Sequence, residues 1–99
     1  MEIDFADPEM EKLATDPTYI GKHSYAKINK YRGCIIKIKA AEDRRDLYAQ
    51  KSLRLEKLKG KREHQHSMRL NDQNRLVVEF IKLELGEKIK IIRMEDYHS

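Results

Sequence analysis

Sulfur chemistry is nearly absent from this chain: Cys34 is its one cysteine. An internal disulfide framework and a cysteine-based zinc site are excluded, and a reducing compartment, the cytoplasm, is the expected location. Long apolar runs are missing too. Nothing approaches the roughly 20 consecutive apolar residues needed to cross a bilayer, and the start, Met1-Glu2-Ile3-Asp4-Phe5, has no basic-apolar leader. There is no internal repeat and no low-complexity segment. Acidic residues are absent from residues 18 to 39, where Lys22, Lys27, Lys30, Arg32, Lys37 and Lys39 all lie.

What is present is a short chain with patterned apolar positions. At 99 residues the expectation is a single domain, residues 1–99, with a compact core. Charged residues make up 38% and apolar and aromatic residues 39%; that is polar, but richer in apolar positions than a disordered chain, so the chain is expected to fold. Charge is unevenly placed. Residues 1 to 17 carry Glu2, Asp4, Asp7, Glu9, Glu11 and Asp16 against Lys12. Residues 51 to 76 carry Lys51, Arg54, Lys57, Lys59, Lys61, Arg62, Arg69 and Arg75 against Glu56, Glu63 and Asp72. Such basic blocks suit a polyanion, because each neutralised phosphate releases counterions. RNA is the expected partner of the half running from about Lys51 to His98.

Along the chain, Ile3 and Phe5 alternate with acidic residues as in a short half-buried strand. Asp7-Pro8-Glu9 signals a helix start, with Asp7 as cap and Pro8 at the first helical position, and Asp16-Pro17 ends that helix. Ile28, Tyr31, Ile35 and Ile38 form an apolar stripe on a helix from about Ser24 to Ala41. Gly33 inside it costs about 1 kcal/mol relative to alanine, which predicts a kink or close packing there. Cys34 on that helix is expected to be a small core or boundary residue rather than a nucleophile. Asp43 can cap a third short helix through Tyr48.

After Gln50 the period changes. Leu53 to Leu58 reads as a strand and Lys59-Gly60-Lys61-Arg62 as a turn. His66, Met68 and Leu70 alternate with Ser67, Arg69 and Asn71, and 71–74 is turn-like. Arg75 to Ile81 is an apolar strand, and the last strand runs from Lys88 to about Glu95. Its apolar phase shifts between Ile91 and Ile92, as a β-bulge requires. The predicted fold is α+β: a short N-terminal strand, two to three helices, then an antiparallel sheet of about four further strands with the helices on one face. His64 and His66, two apart, would share a strand face, but further metal ligands are lacking, so no metal site is expected.

RNA carries its own nucleophile, the ribose 2′-hydroxyl. A protein cleaves it without metal by supplying a base, a cationic clamp for the phosphate and an acid for the leaving oxygen. Lys59 in its glycine-containing turn, Arg69, Arg75 and His98 are the candidates, with Lys57, Lys61 and Arg62 as further cations for RNA. A histidine titrates near neutral pH and suits a proton shuttle. No helix-turn-helix pattern appears, which counts against a DNA-binding regulator.

The ordered strings Leu58-Lys59-Gly60-Lys61-Arg62, Gln65-His66-Ser67-Met68-Arg69-Leu70-Asn71-Asp72-Gln73, Arg75-Leu76 and Glu95-Asp96-Tyr97-His98 resemble the RelE superfamily of toxin-antitoxin systems, and within it the HigB (plasmid maintenance killer) branch. The resemblance covers the chain from about Leu53 to its end. It implies a RelE-like fold and a ribosome-dependent, metal-independent mRNA interferase that needs no cofactor. It further implies cleavage in the ribosomal A site, with ribosomal RNA as a second RNA partner, and restraint by a HigA-like helix-turn-helix antitoxin. By position it implies Lys59, Arg75 and His98 as catalytic residues and Arg69 or Asn71 as a polar RNA contact; Glu56 stands where some relatives have histidine. One departure is Asn74, where relatives usually carry an aromatic residue that would stack on a base or close the core beside the site. It opens an alternative: a catalytically weakened or inactive variant that only binds antitoxin or RNA.

Overall fold

The computed structural model describes residues 1–96; the expected catalytic His98 lies outside the described residues. The elements run β1 (Ile3–Phe5), α1 (Pro8–Thr15), α2 (Tyr25–Ala40), α3 (Arg44–Ala49), β2 (Glu56–Lys57), β3 (His66–Arg69), β4 (Asn74–Lys82) and β5 (Glu87–Asp96), with single 3-10 turns at Lys51–Leu53 and Gly60–Arg62. Strand order in the five-stranded sheet is β1-β5-β4-β3-β2. The four C-terminal strands are antiparallel, as their short connections require, whereas β1 joins β5 in parallel, with Ile3 opposite Ile89 and Phe5 opposite Ile91.

Local sequence explains most of these boundaries. Asp7 accepts a hydrogen bond from the Met10 amide at 2.9 Å, and Pro8 opens the helix; such a cap is worth about 1 kcal/mol. Ser24 caps α2 through the Lys27 amide at 3.1 Å, and Asp43 caps α3 through the Arg45 amide at 2.8 Å. Arg32 closes the other end of α1: its guanidinium donates to the carbonyls of Leu13, Asp16 and Tyr19 at 2.9, 2.9 and 2.7 Å. That places a cation on the negative end of the helix dipole and removes Arg32 from the basic surface.

The predicted stripe of α2 is buried in full: Ile28, Tyr31, Ile35 and Ile38 join Met10 and Leu13 of α1, Leu47 of α3 and the inner face of the sheet in one core. Tyr31 donates its hydroxyl to the Met10 carbonyl at 2.8 Å, so a phenol at zero exposure satisfies its polar end. Burial pushes its pKa up, and the same cause pushes the buried Cys34 thiol up to about 12, leaving an unreactive core thiol. On the sheet, Met68, Leu76, Val78, Ile89 and Ile91 point at the helices.

Three expectations need correction. Leu53 lies in a 3-10 turn, not a strand, and β2 is only Glu56–Lys57, because Arg54 adopts a left-handed φ of 46° that interrupts extended chain. His64 and His66 do not share a face. The strand begins only at His66, so His64 lies 3.8 Å from Glu79 while His66 meets Phe80 edge-on at 5.0 Å, and consecutive residues of β4 point to opposite sides. Finally, α2 runs on through Gly33, and a methyl group there would meet no atom within 4 Å beyond its own stretch of helix, so close packing is not what the glycine serves.

Candidate active site

The site residues converge because of one extra residue in β5. Opposite β4, Val78 pairs with Ile91 but Val77 pairs with Arg93, leaving Ile92 as a bulge at the predicted phase shift. Ile89 and Ile91 face the core; without the bulge, Arg93 and Glu95 would follow them in. The added residue turns both outward, so that Arg93 lies beside Val77 and Glu95 beside Arg75 on the face away from the helices, while Met94 takes the core position opposite Leu76.

On that outer face Glu95 gathers three arginines. Arg75 donates through Nε and Nη2 at 2.8 and 2.5 Å. Arg62 reaches both carboxylate oxygens from Nη2 at 3.0 and 2.9 Å, and Arg93 donates through Nε at 3.1 Å. Glu95 retains only 14% of its side-chain exposure. Burial alone would raise its pKa, but the hydrogen bonds and charges of Arg75 and Arg62 outweigh it and hold the carboxyl below the ordinary range.

The loop between β2 and β3 folds over this face. It is closed by the Leu58 amide on the Gln65 carbonyl at 2.9 Å and the Gln65 amide on the Arg62 carbonyl at 2.8 Å, and Gln65 Nε2 reaches Glu79 at 3.0 Å. Val77 is fully buried, though it faces away from the helices. Gly60 takes a φ of +68° with open space around its missing side chain, so the turn uses glycine for its backbone conformation. Lys59, just before it, is exposed and stands at the start of the 3-10 turn without a side-chain cap. The result is an open depression of about 340 Å3 lined by Glu56, Lys57, Leu58, Lys59, Arg62 and Arg75.

Of the residues singled out from sequence, Lys57, Lys59, Arg62 and Arg75 come together here. Lys61 is exposed in the same turn but does not line the depression. Arg69 is the register partner of Arg75 across β3 and β4 and pairs with Asp72. Asn71 organises the β3–β4 turn, its Oδ1 accepting from the amides of Gln73 and Asn74 at 2.9 and 2.8 Å and from Asn74 Nδ2 at 3.1 Å. Asn74 itself, two positions before Leu76, points to the helix side of the sheet, opposite to Arg75. Glu95 lies in the C-terminal string that carries the resemblance, without an expected role of its own. The available signal was the Arg93–Glu95 alternation beyond the bulge. Among the described residues no three His, Cys, Asp or Glu side chains are grouped to hold a metal ion.

This arrangement presents four cationic side chains around one concave spot, two of them, Arg62 and Arg75, held by Glu95, a geometry suited to a phosphodiester whose charge grows during reaction. No curated protein matches the chain. A solved YoeB/ParE toxin from Agrobacterium tumefaciens has the same fold, with a TM-score of 0.57 at 15% identity, covering 98% of this chain and 99% of that one. The sequence matches, over residues 4–98, the HigB-like toxin family, described as RelE-like toxin of type II toxin-antitoxin system HigB. The chain therefore belongs to the HigB-like family of RelE-like toxins, whose type II systems pair the toxin with an antitoxin.

Proposed function

We propose that the chain is a ribosome-dependent mRNA endoribonuclease that arrests translation by cutting mRNA in the ribosomal A site, with no metal or cofactor. The observation that carries this reading is the convergence of Lys59, Arg62 and Arg75 on one depression, with Glu95 fixing two of the arginines. In the reaction the 2′-oxygen attacks the adjacent phosphorus, the bond from phosphorus to the 5′-oxygen breaks, and a 2′,3′-cyclic phosphate and a 5′-hydroxyl result. Arg75 stabilises the charge on the pentavalent phosphate. Lys59 and His98 share the removal of the 2′-hydroxyl proton and the delivery of a proton to the leaving oxygen. Lys57, Lys61, Arg62, Arg69 and Asn71 hold the RNA, and the restraining partner is a helix-turn-helix antitoxin of the HigA kind in the cytoplasm.

Family membership supports the toxin role, and the site's cationic concavity supports phosphate chemistry. The test is induction in cells with and without the adjacent gene, followed by mapping of mRNA ends. Cuts within translated codons that the neighbour suppresses are the expected result; intact mRNA under full induction contradicts it. A second reading, a toxin that binds antitoxin or RNA without cutting, draws on Asn74, whose side chain is spent on the turn through Asn71. It predicts strongly salt-dependent RNA binding with no cleavage on translating ribosomes.

A further inference from the structure

Glycine inside a helix costs stability, and three circumstances usually justify it: a left-handed φ, a close-packed neighbour, or a ligand that approaches the backbone. Gly33 sits within the 16-residue α2. It is not among the glycines of positive φ, and a Cβ there would meet no atom within 4 Å beyond its own stretch of helix. The third circumstance remains, and the surroundings are suited to it. Gly33 lines a groove of about 400 Å3 between α2 and the β3 edge, together with Asn29, Lys30, Lys37, Ser52 and Arg69. Lys30 and Lys37 stand three residues before and four after Gly33, on the same helix face. α2 contains no acidic residue, and among the described residues no carboxylate forms an ion pair with either lysine. Arg69, which is paired with Asp72, also lines this groove and is the register partner of Arg75 on the neighbouring strand.

We propose that the Gly33 groove is a second RNA-binding site that seats a phosphodiester backbone against α2. The missing side chain lets the strand approach the helix, and Lys30 and Lys37 flank its phosphates. This rests on the reading of the chain as an RNA-cutting toxin, and it extends that reading to a face remote from the chemistry. An acidic polypeptide would satisfy the charge of the groove as well. RNA is favoured because Lys30 and Lys37, neither of them in an ion pair among the described residues, flank Gly33 on both sides at a spacing that suits phosphates of one strand.

The test compares the parent chain with Gly33→Ala, Gly33→Glu and the double variant Lys30→Ala/Lys37→Ala. Each is titrated by fluorescence anisotropy against a single-stranded RNA of about 12 nucleotides, a length within common single-strand site sizes, and against small ribosomal subunits. Gly33→Ala and Gly33→Glu are expected to keep or raise Tm, because both residues favour helix and the new carboxylate stands at helical spacing from both lysines. Gly33→Glu is expected to weaken RNA binding at least tenfold, and Gly33→Ala by less. The double variant, which reads the same groove if Gly33→Glu fails to fold, should lower the slope of log affinity against log salt by about 1.4, the single-strand value for two phosphates. Loss with the oligonucleotide assigns the groove to the messenger strand; loss with the subunits alone assigns it to ribosomal RNA. Binding of both probes by Gly33→Glu within threefold of the parent overturns the proposal, as does loss of polyglutamate binding with both RNA affinities unchanged. Binding is read without cleavage, so a parent that never cuts mRNA overturns the endoribonuclease reading while leaving the groove standing.

Discussion

Arg75 on β4 and Glu95 on β5 are cross-strand partners whose side chains meet at 2.8 and 2.5 Å on the outer face of the sheet, a pairing made possible by the Ile92 bulge. Arg62 from the β2–β3 loop shares the same carboxylate. Glu95 is thus a joint between the loop, the sheet and the candidate phosphate clamp Arg75. Glu95→Gln keeps the shape but removes the charge that holds three guanidinium groups together. It should cost about 2 kcal/mol of stability, the order of a hydrogen bond to a charged group, read by urea unfolding at pH 7. No change in the denaturation midpoint would show that the joint carries no stability.

Stability should fall in two steps on acidification. Burial, then the charges of Arg44 and Lys57, lower the His66 pKa below the usual 6.5, so its contribution is present above that value and is lost as pH falls through the lower folded value. Glu87, hydrogen-bonded by Arg44, and Glu95, held by Arg75 and Arg62 against its burial, are both lowered from 4.5. Their contributions are complete above that value and are lost as pH falls from it through the lowered folded values, because the unfolded chain then binds protons first. Thermal unfolding between pH 7 and pH 3 should show Tm dropping first below pH 6.5 and again below pH 4.5, with the second drop reduced in Glu95→Gln.

Tyr31→Phe should destabilise by about 1 kcal/mol or somewhat more, since it leaves the Met10 carbonyl without its buried donor. Chemical denaturation checks this, and retention of full stability would mean that the carbonyl finds another partner.

Asn74→Trp should leave cleavage nearly unchanged and shift stability instead, because position 74 faces the helix side while Arg75 faces out. A gain of tenfold or more in cleavage rate on translating ribosomes would show that an aromatic residue here serves the reaction.

Features written in contiguous residues were legible in the sequence. The Asp7-Pro8 helix start, the α2 stripe, the order of elements and the phase shift at Ile92 all follow from local capping and periodicity. The parallel pairing of β1 with β5 was not, since Ile3 and Ile89 meet across the whole chain and nothing local records their partnership. Lys59, Arg62 and Arg75 could be named from charge and resemblance. The meeting of Arg62 and Arg75 at Glu95 depends on the strand register, which fixes a face only once the bulge is placed. Arg32 shows the reverse limit: its charge reads as basic surface, while its hydrogen bonds make it the cap of α1.

The most direct test of the central claim is the rate of mRNA cleavage on programmed ribosomes by the parent chain and by Arg75→Ala under single-turnover conditions. Removal of a group that stabilises transition-state charge should slow cutting several hundredfold, with ribosome binding reduced far less. Cleavage by Arg75→Ala at the parental rate would contradict the account.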